Sequence, residues 1–237
     1  MPVFRLSNTI EFPPPELAEE NGLLAVGGDL SVQRLLEAYR MGIFPWYAEG
    51  DPLLWWTPAP RLVLFPEEFH TPKRLARTIK KQVFSVTADT AFTAVIQQCA
   101  RFRGENREET WITPEMQTAY LRLHERGYAH SIECRQEGTL AGGLYGIALD
   151  RVFFGESMFS LVKDASKVAL HELVQYAKMS GIHMIDCQIR TEHLTTLGAR
   201  EISREHFQKI LLQYIRTMEP QKKWRLRQLS GKILLNL

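Results

Sequence analysis

The chain reads as α/β of the α+β kind, with helices against a mixed sheet, preceded by a small irregular N-terminal domain. Three observations predict this. The last third runs strand, strand, strand, helix, strand, helix. The middle carries apolar residues at helical spacing. The first sixty or so residues differ from both, holding eight of the 12 prolines and three of the 5 tryptophans. The expected division is residues 1–62 and 63–237.

Taken in order, Ser31 caps a short helix bearing Leu35, Leu36 and Tyr39, with Gly42 just past its end. The stretches Gly42–Tyr47 and Leu54–Pro58 make a poor helix and a poor strand, so an aromatic-packed irregular unit or lid is expected. Thr71 as N-cap and Pro72 in the first turn open a basic helix with Lys73, Arg74, Arg77, Lys80 and Lys81. Lys73, Arg77, Lys80 and Lys81 share one face, and no acid lies between Glu68 and Asp89 to oppose them. A solvated surface helix is the commonest fate of such a run, and phosphate binding is the functional alternative. Asp89 starts a helix through Phe92, Val95, Ile96 and Cys99; Thr113-Pro114-Glu115 opens the next, with Met116, Ala119, Tyr120 and Leu123 inward. Strands follow over 130–135, 139–149 (with a break at Gly142-Gly143) and 152–159. A helix over 164–180 stops at Gly181, a strand covers 182–189, and Ser203 begins the last helix. The tail from Lys222 reads only as an edge or a loose end.

Composition narrows the classes. With 237 residues, 45% hydrophobic and 24% charged, the chain is an ordinary globule, and its net charge of +2 leaves nucleic-acid affinity to local clustering. No apolar run approaches a membrane span, and the N-terminus has no apolar leader core, so a cytoplasmic protein is expected. The 3 scattered cysteines fit a reducing compartment. His124, His130, His171, His183, His193 and His206 show no metal-ligand spacing, so no metal is expected. Ser157 and Ser160 lack a neighbouring His–acid set, which argues against a serine nucleophile.

The informative polar residues interrupt apolar strands. Asp186 and Gln188, two apart in Ile182–Ile189, would share a strand face, and Glu156 interrupts Val152–Phe159. Such groups need partners when buried. They either satisfy one another in the core or form one polar spot in an apolar cleft; local pattern leaves both open. Leu144, Phe153, Met158 and Leu170 are candidate walls of an apolar pocket, with plain core packing the better reading for Phe153.

Seven motifs appear in register: Asn21–Leu30, Gly42–Trp46, Trp55–Pro58, Thr110–Thr113, Gly155–Ser160, Ala165–Lys167 and Ile185–Gln188. Over about residues 5–215 the chain resembles the leucyl/phenylalanyl-tRNA–protein transferases, and its strand and helix order resembles the Gcn5-related acyltransferase fold. The resemblance implies transfer of Leu or Phe, less so Met, from charged tRNA to the N-terminal Arg or Lys of acceptor proteins, marking them for N-end-rule degradation. It implies that Asp186 and Gln188 are the catalytic pair with Glu156 beside them. It further implies that Trp46 and Trp111 bind the aminoacyl-adenosine end and that the basic helix meets the tRNA body, which would leave the apolar walls Leu144, Met158 and Leu170 as candidates for the transferred side chain. No cofactor is implied, and a monomer is expected. Two positions depart from the family pattern: Thr191 stands where Asn is usual, and Ala76 where some relatives have a cation.

The competing expectations are an acetyl-CoA-dependent N-acetyltransferase on the same fold and a non-catalytic RNA-binding protein. The first needs a glycine-rich pyrophosphate cradle, and Ser160–Ser166 contains no glycine. The second leaves Asp186, Gln188 and Glu156 unused.

Overall fold

The computed structural model describes residues 3–105 and 111–226. The N-terminal part is a four-stranded sheet: β1 (Phe4–Leu6), β2 (Leu23–Gly27), β3 (Phe44–Pro45) and β4 (Leu54–Trp56), in the order β1-β2-β4-β3. This corrects the expectation of an irregular unit. Pro45 is tolerated because β3 lies at the sheet edge, where its missing N–H leaves no ladder bond unmade. The helix α1 (Val32–Arg40) packs beside it, with Ser31 accepting from the Arg34 N–H as the sequence predicts.

A seven-stranded sheet follows. Its strands are β5 (Arg61–Leu64), β6 (Ser85–Ala88), β7 (Ala129–Gln136), β8 (Thr139–Leu149), β9 (Val152–Ser160), β10 (Met184–Gln188) and β11 (Arg200–Ile202), ordered β11-β5-β10-β9-β8-β7-β6. The large sheet thus begins at Arg61, two residues ahead of the expected boundary. The meander β7-β8-β9, the helix α5 (Ala165–Ser180) and the returning parallel strand β10 keep the expected order. Gly142 and Gly143 do not break β8. A Cβ on Gly142 would lie 2.7 Å from that of Ala165, and one on Gly143 would lie 2.8 Å from the Ile132 carbonyl. The glycines instead let neighbouring backbone approach closely.

The remaining helices are α2 (Lys73–Lys80), α3 (Phe92–Glu105), α4 (Pro114–Glu125), α6 (Glu192–Thr195) and α7 (Arg204–Tyr214). Pro72 is the N-cap of α2 and Thr71 makes no cap bond, so that expectation fails by one residue. Asp89 does not cap α3 either. It takes φ +53°, and its carboxylate accepts from His130 Nδ1, the Ser131 N–H and the Trp224 N–H. The tail is therefore not loose where it is described: Trp224 is buried, its ring stacked on His130 at 4.2 Å. Residues 227–237 lie outside the described part.

The large sheet buries both faces. Val152, Phe154 and Ile147 join α3, α4 and the N-terminal sheet in one apolar cluster; Phe153, Leu144 and Ile185 join α5 in the other. Alternation along β9 sends successive side chains to opposite clusters.

Candidate active site

β9 and β10 are hydrogen-bonded neighbours only from Met184↔Val152 to Asp186↔Phe154. Beyond that pair they separate. Each is also irregular at this point, β9 against β8 between Tyr145 and Gly146, β10 against β5 between Asp186 and Gln188. Bulges bend a strand and raise its twist, so two at one level split the sheet. A cavity of about 710 Å³ fills the split, lined by Gly155 to Met158 from β9 and by Cys187 and Gln188 from β10.

The cavity collects most of the expected site. Trp46, Trp111, Leu144, Glu156, Met158, Leu170 and Gln188 all line it. Trp46 is 41% exposed and stands at the rim, edge-on to Trp56. Phe153, read from sequence as core packing, is buried and lines the cavity as well. Leu173 and Ile185 complete the apolar end.

Asp186 is the exception. It is 0% exposed and does not line the cavity. The expectation that Asp186 and Gln188 stand side by side on one strand face is not met, because the bulge breaks the alternation between them. Asp186 instead receives a bidentate pair from Arg61, Nε to Oδ1 at 2.9 Å and Nη2 to Oδ2 at 2.7 Å. The Arg61 guanidinium lies between the rings of Phe44 and Phe207, 4.9 and 4.8 Å from their centroids. Asp186 Oδ1 also accepts the Gln188 backbone N–H at 2.9 Å. Gln188 takes φ +62°, and the Ile189 N–H reaches back to the Cys187 carbonyl at 2.8 Å. That is a γ-turn, and a non-glycine residue so placed costs roughly 1–3 kcal/mol unless its surroundings hold it. Asp186 is the group that holds it.

The turn aims Gln188 across the split. Its Nε2 donates to Glu156 Oε1 at 3.1 Å, leaving the amide oxygen without a hydrogen-bond partner among the described residues. Tyr39 donates to Glu156 Oε1 and Tyr120 to Oε2, each at 2.8 Å, and the two phenols also touch. Burial pushes Glu156 up to about 7, against the opposing pull of the two phenol hydrogen bonds and with a smaller push from the Asp186 charge. Burial and then the Glu156 charge hold both phenols well above their usual range, so they remain donors. In the sequence Tyr39 and Tyr120 read only as helix residues, Tyr120 on an inward face, and Arg61 is not among the expected site residues.

Thr191 keeps a local function at the rim. Its hydroxyl accepts the Leu194 N–H and caps α6, which carries His193 and Leu194 into the cavity lining. Asn and Thr both serve at an N-cap, so the departure from Asn preserves the turn.

On α2, Lys73, Arg77, Lys80 and the following Lys81 are exposed, and none has an ion-pair partner among the described residues. Arg74 differs from expectation: Asp164, at the start of α5, pairs with it at 3.3 Å. A neutralising acid 90 positions away along the chain was invisible to local reading.

A family model described as leucyl/phenylalanyl-tRNA protein transferase matches residues 63–212, and one for that family's N-terminal domain matches residues 28–59. The protein of Syntrophobacter fumaroxidans named leucyl/phenylalanyl-tRNA–protein transferase is 56% identical over 232 residues, covering 98% of this chain and 99% of its own. The protein of that name from Desulfatibacillum aliphaticivorans is 52% identical over 231 residues, again covering 98% and 99%. Among solved structures, a GCN5-related N-acetyltransferase from Kribbella flavida is 13% identical with a TM-score of 0.34, covering 71% of this chain and 60% of that one. That last likeness is too slight to argue from.

Proposed function

This chain belongs to the leucyl/phenylalanyl-tRNA–protein transferase family, and from that premise we propose how its cavity carries out aminoacyl transfer. The enzyme takes an aminoacyl group from tRNA and gives it to a protein. In our reading the group is Leu or Phe, less so Met, and the acceptor begins with Arg or Lys. The observation that supports this most is the split between β9 and β10: an apolar cavity with a Glu–Gln pair on its wall and a tryptophan at its rim. Leu144, Met158 and Leu170 surround the side chain, with Phe153 as the deep wall. An unbranched Met adapts to both Leu and Phe. Trp46 and Trp111 receive the terminal adenosine, whose flat base suits stacking on a ring.

The reaction is aminolysis of an ester. The acceptor amine forms a bond to the aminoacyl carbonyl carbon, and the bond from that carbon to the ribose oxygen breaks. One proton passes, in balance, from the amine to the departing hydroxyl. Gln188 accepts an N–H of the amine on its amide oxygen and so sets the line of attack. Glu156, at about 7, is matched to an amine whose ordinary pKa is about 7.7–8, and it stabilises the positive charge that develops on nitrogen. Asp186 is a positioning residue in this scheme, acting through the Gln188 turn.

Lys73, Arg77, Lys80 and Lys81 meet tRNA phosphates. Replacing Lys73, Arg77 and Lys80 together by alanine is expected to raise KM for charged tRNA with kcat kept. The log–log salt slope of binding should become shallower by about 0.7–0.9 per lost contact. An unchanged slope would remove α2 from the tRNA path.

A monomer as the working unit completes the reading, and the scattered thiols support a cytoplasmic location. The test of the whole reading is label transfer from Leu- or Phe-charged tRNA to peptides beginning with Arg, Lys or Ala. Transfer to the first two alone is expected. Acetylation of the same peptides from acetyl-CoA, with no aminoacyl transfer, would overturn it.

A further inference from the structure

The C-terminal tail reaches the wall of the cavity from behind. Trp224 is 2% exposed and lies 5.6 Å from Phe153, ring centroid to centroid, tilted by 40°. Its other faces meet His130 at 4.2 Å, nearly parallel, and Tyr176 at 4.3 Å. Hydrogen bonds fix it in place. Its backbone N–H donates to Asp89 Oδ2 at 2.6 Å, and its indole N–H donates to Gln221 Oε1 at 2.9 Å. The Gln221 N–H in turn donates to the Gly127 carbonyl at 2.8 Å. On its other side the Phe153 ring lies where a Cβ on Gly146 would be, 2.5 Å from Phe153 Cζ. Phe153 is therefore boxed between a strand backbone that cannot yield and an indole supplied by a segment some seventy residues later.

We propose that Trp224 is a specificity-determining residue for the aminoacyl side chain, setting the depth of the cavity by holding Phe153 forward. Interiors are packed as densely as organic crystals, so a wall residue keeps its place only while something fills the space behind it. With the indole gone, the Phe153 ring gains room to retreat and the apolar end deepens. A deeper pocket favours the larger side chain. This inference rests on the reading that the cavity receives the aminoacyl group.

The test uses the full chain with tRNA charged with Leu, Phe or Trp, and compares kcat/KM between them. The ratio cancels any change in the fraction of folded enzyme, which a purely structural role would alter. For Trp224→Ala the Phe-to-Leu ratio is expected to rise by about tenfold, the effect of one or two methylenes of extra space, with Trp-charged tRNA becoming a detectable substrate. Trp224→Phe retains an aromatic plate and should fold where alanine does not, with a smaller shift of the same sign. A parallel fall for all three tRNAs, or an unmoved ratio in both variants, would overturn the proposal while leaving the cavity assignment standing. Failure of the unsubstituted enzyme to transfer Leu or Phe at all would instead sink the assignment on which it rests.

Discussion

Replacing Arg61 by methionine is expected to remove about 3–5 kcal/mol of folding stability and to abolish transfer. The pair it makes with Asp186 is fully buried, both side chains being within 1% of complete enclosure. Methionine fills much of the space between Phe44 and Phe207 but leaves a carboxylate in an apolar interior with a single backbone N–H for company. Denaturant unfolding would read the stability loss. The double variant Arg61→Met, Asp186→Leu separates the two consequences. It should recover much of the stability, since apolar replacement of a buried ion pair is often neutral or better. It should not recover transfer, because the Gln188 N–H then has no acceptor and the turn at φ +62° loses its restraint. Recovery of both would show that Asp186 serves only the fold.

The second large effect is expected at Glu156. Glu156→Gln keeps the shape of the side chain and removes its charge; kcat/KM should fall by about 10²–10⁴, the usual worth of a general acid–base group. The pH behaviour identifies the cause. In the native enzyme, activity should rise with pH through about 7 as Glu156 ionises, then again through the amine's own pKa of about 7.7–8. The variant should keep only the second limb. Stability moves the other way. The folded pKa is raised from 4.5 to about 7, so the stabilising contribution of this group is complete below pH 4.5 and is lost as pH rises to about 7. Denaturation midpoints of native protein should therefore drop across that window, and those of the variant should not. A pH–rate profile identical in the two proteins would remove Glu156 from proton handling.

The parts of this site legible in sequence were those whose evidence is local. Trp46, Trp111, Leu144, Met158 and Leu170 sit in recognisable motifs or apolar runs, and all line the cavity. Asp186, Gln188 and Glu156 stood out as polar residues in apolar strands. What was illegible was who satisfies them. Arg61 is 125 positions from Asp186, and Tyr39 is 117 from Glu156, so only the topology brings them together. One local signal does point toward the pair. Arg61 opens the run Arg61-Leu62-Val63-Leu64, all buried, and a cation at the head of such a strand calls for a buried anion. The bulge after Asp186 had no such signal, since nothing in Asp186-Cys187-Gln188 resembles a turn sequence. The apolar–polar alternation there conceals a strained turn at Gln188. The N-terminal sheet was missed because strands of two to five residues fall below any periodicity.

Tyr39 and Phe44 come from the first fifty residues, yet they touch the carboxylate and the guanidinium on which the large sheet's site depends. The apolar cluster around them draws its members from both stretches, from Ala18 to Ile215. That shared interior couples the two stretches mechanically, so a change of volume in one is tolerated only as far as the other accommodates it.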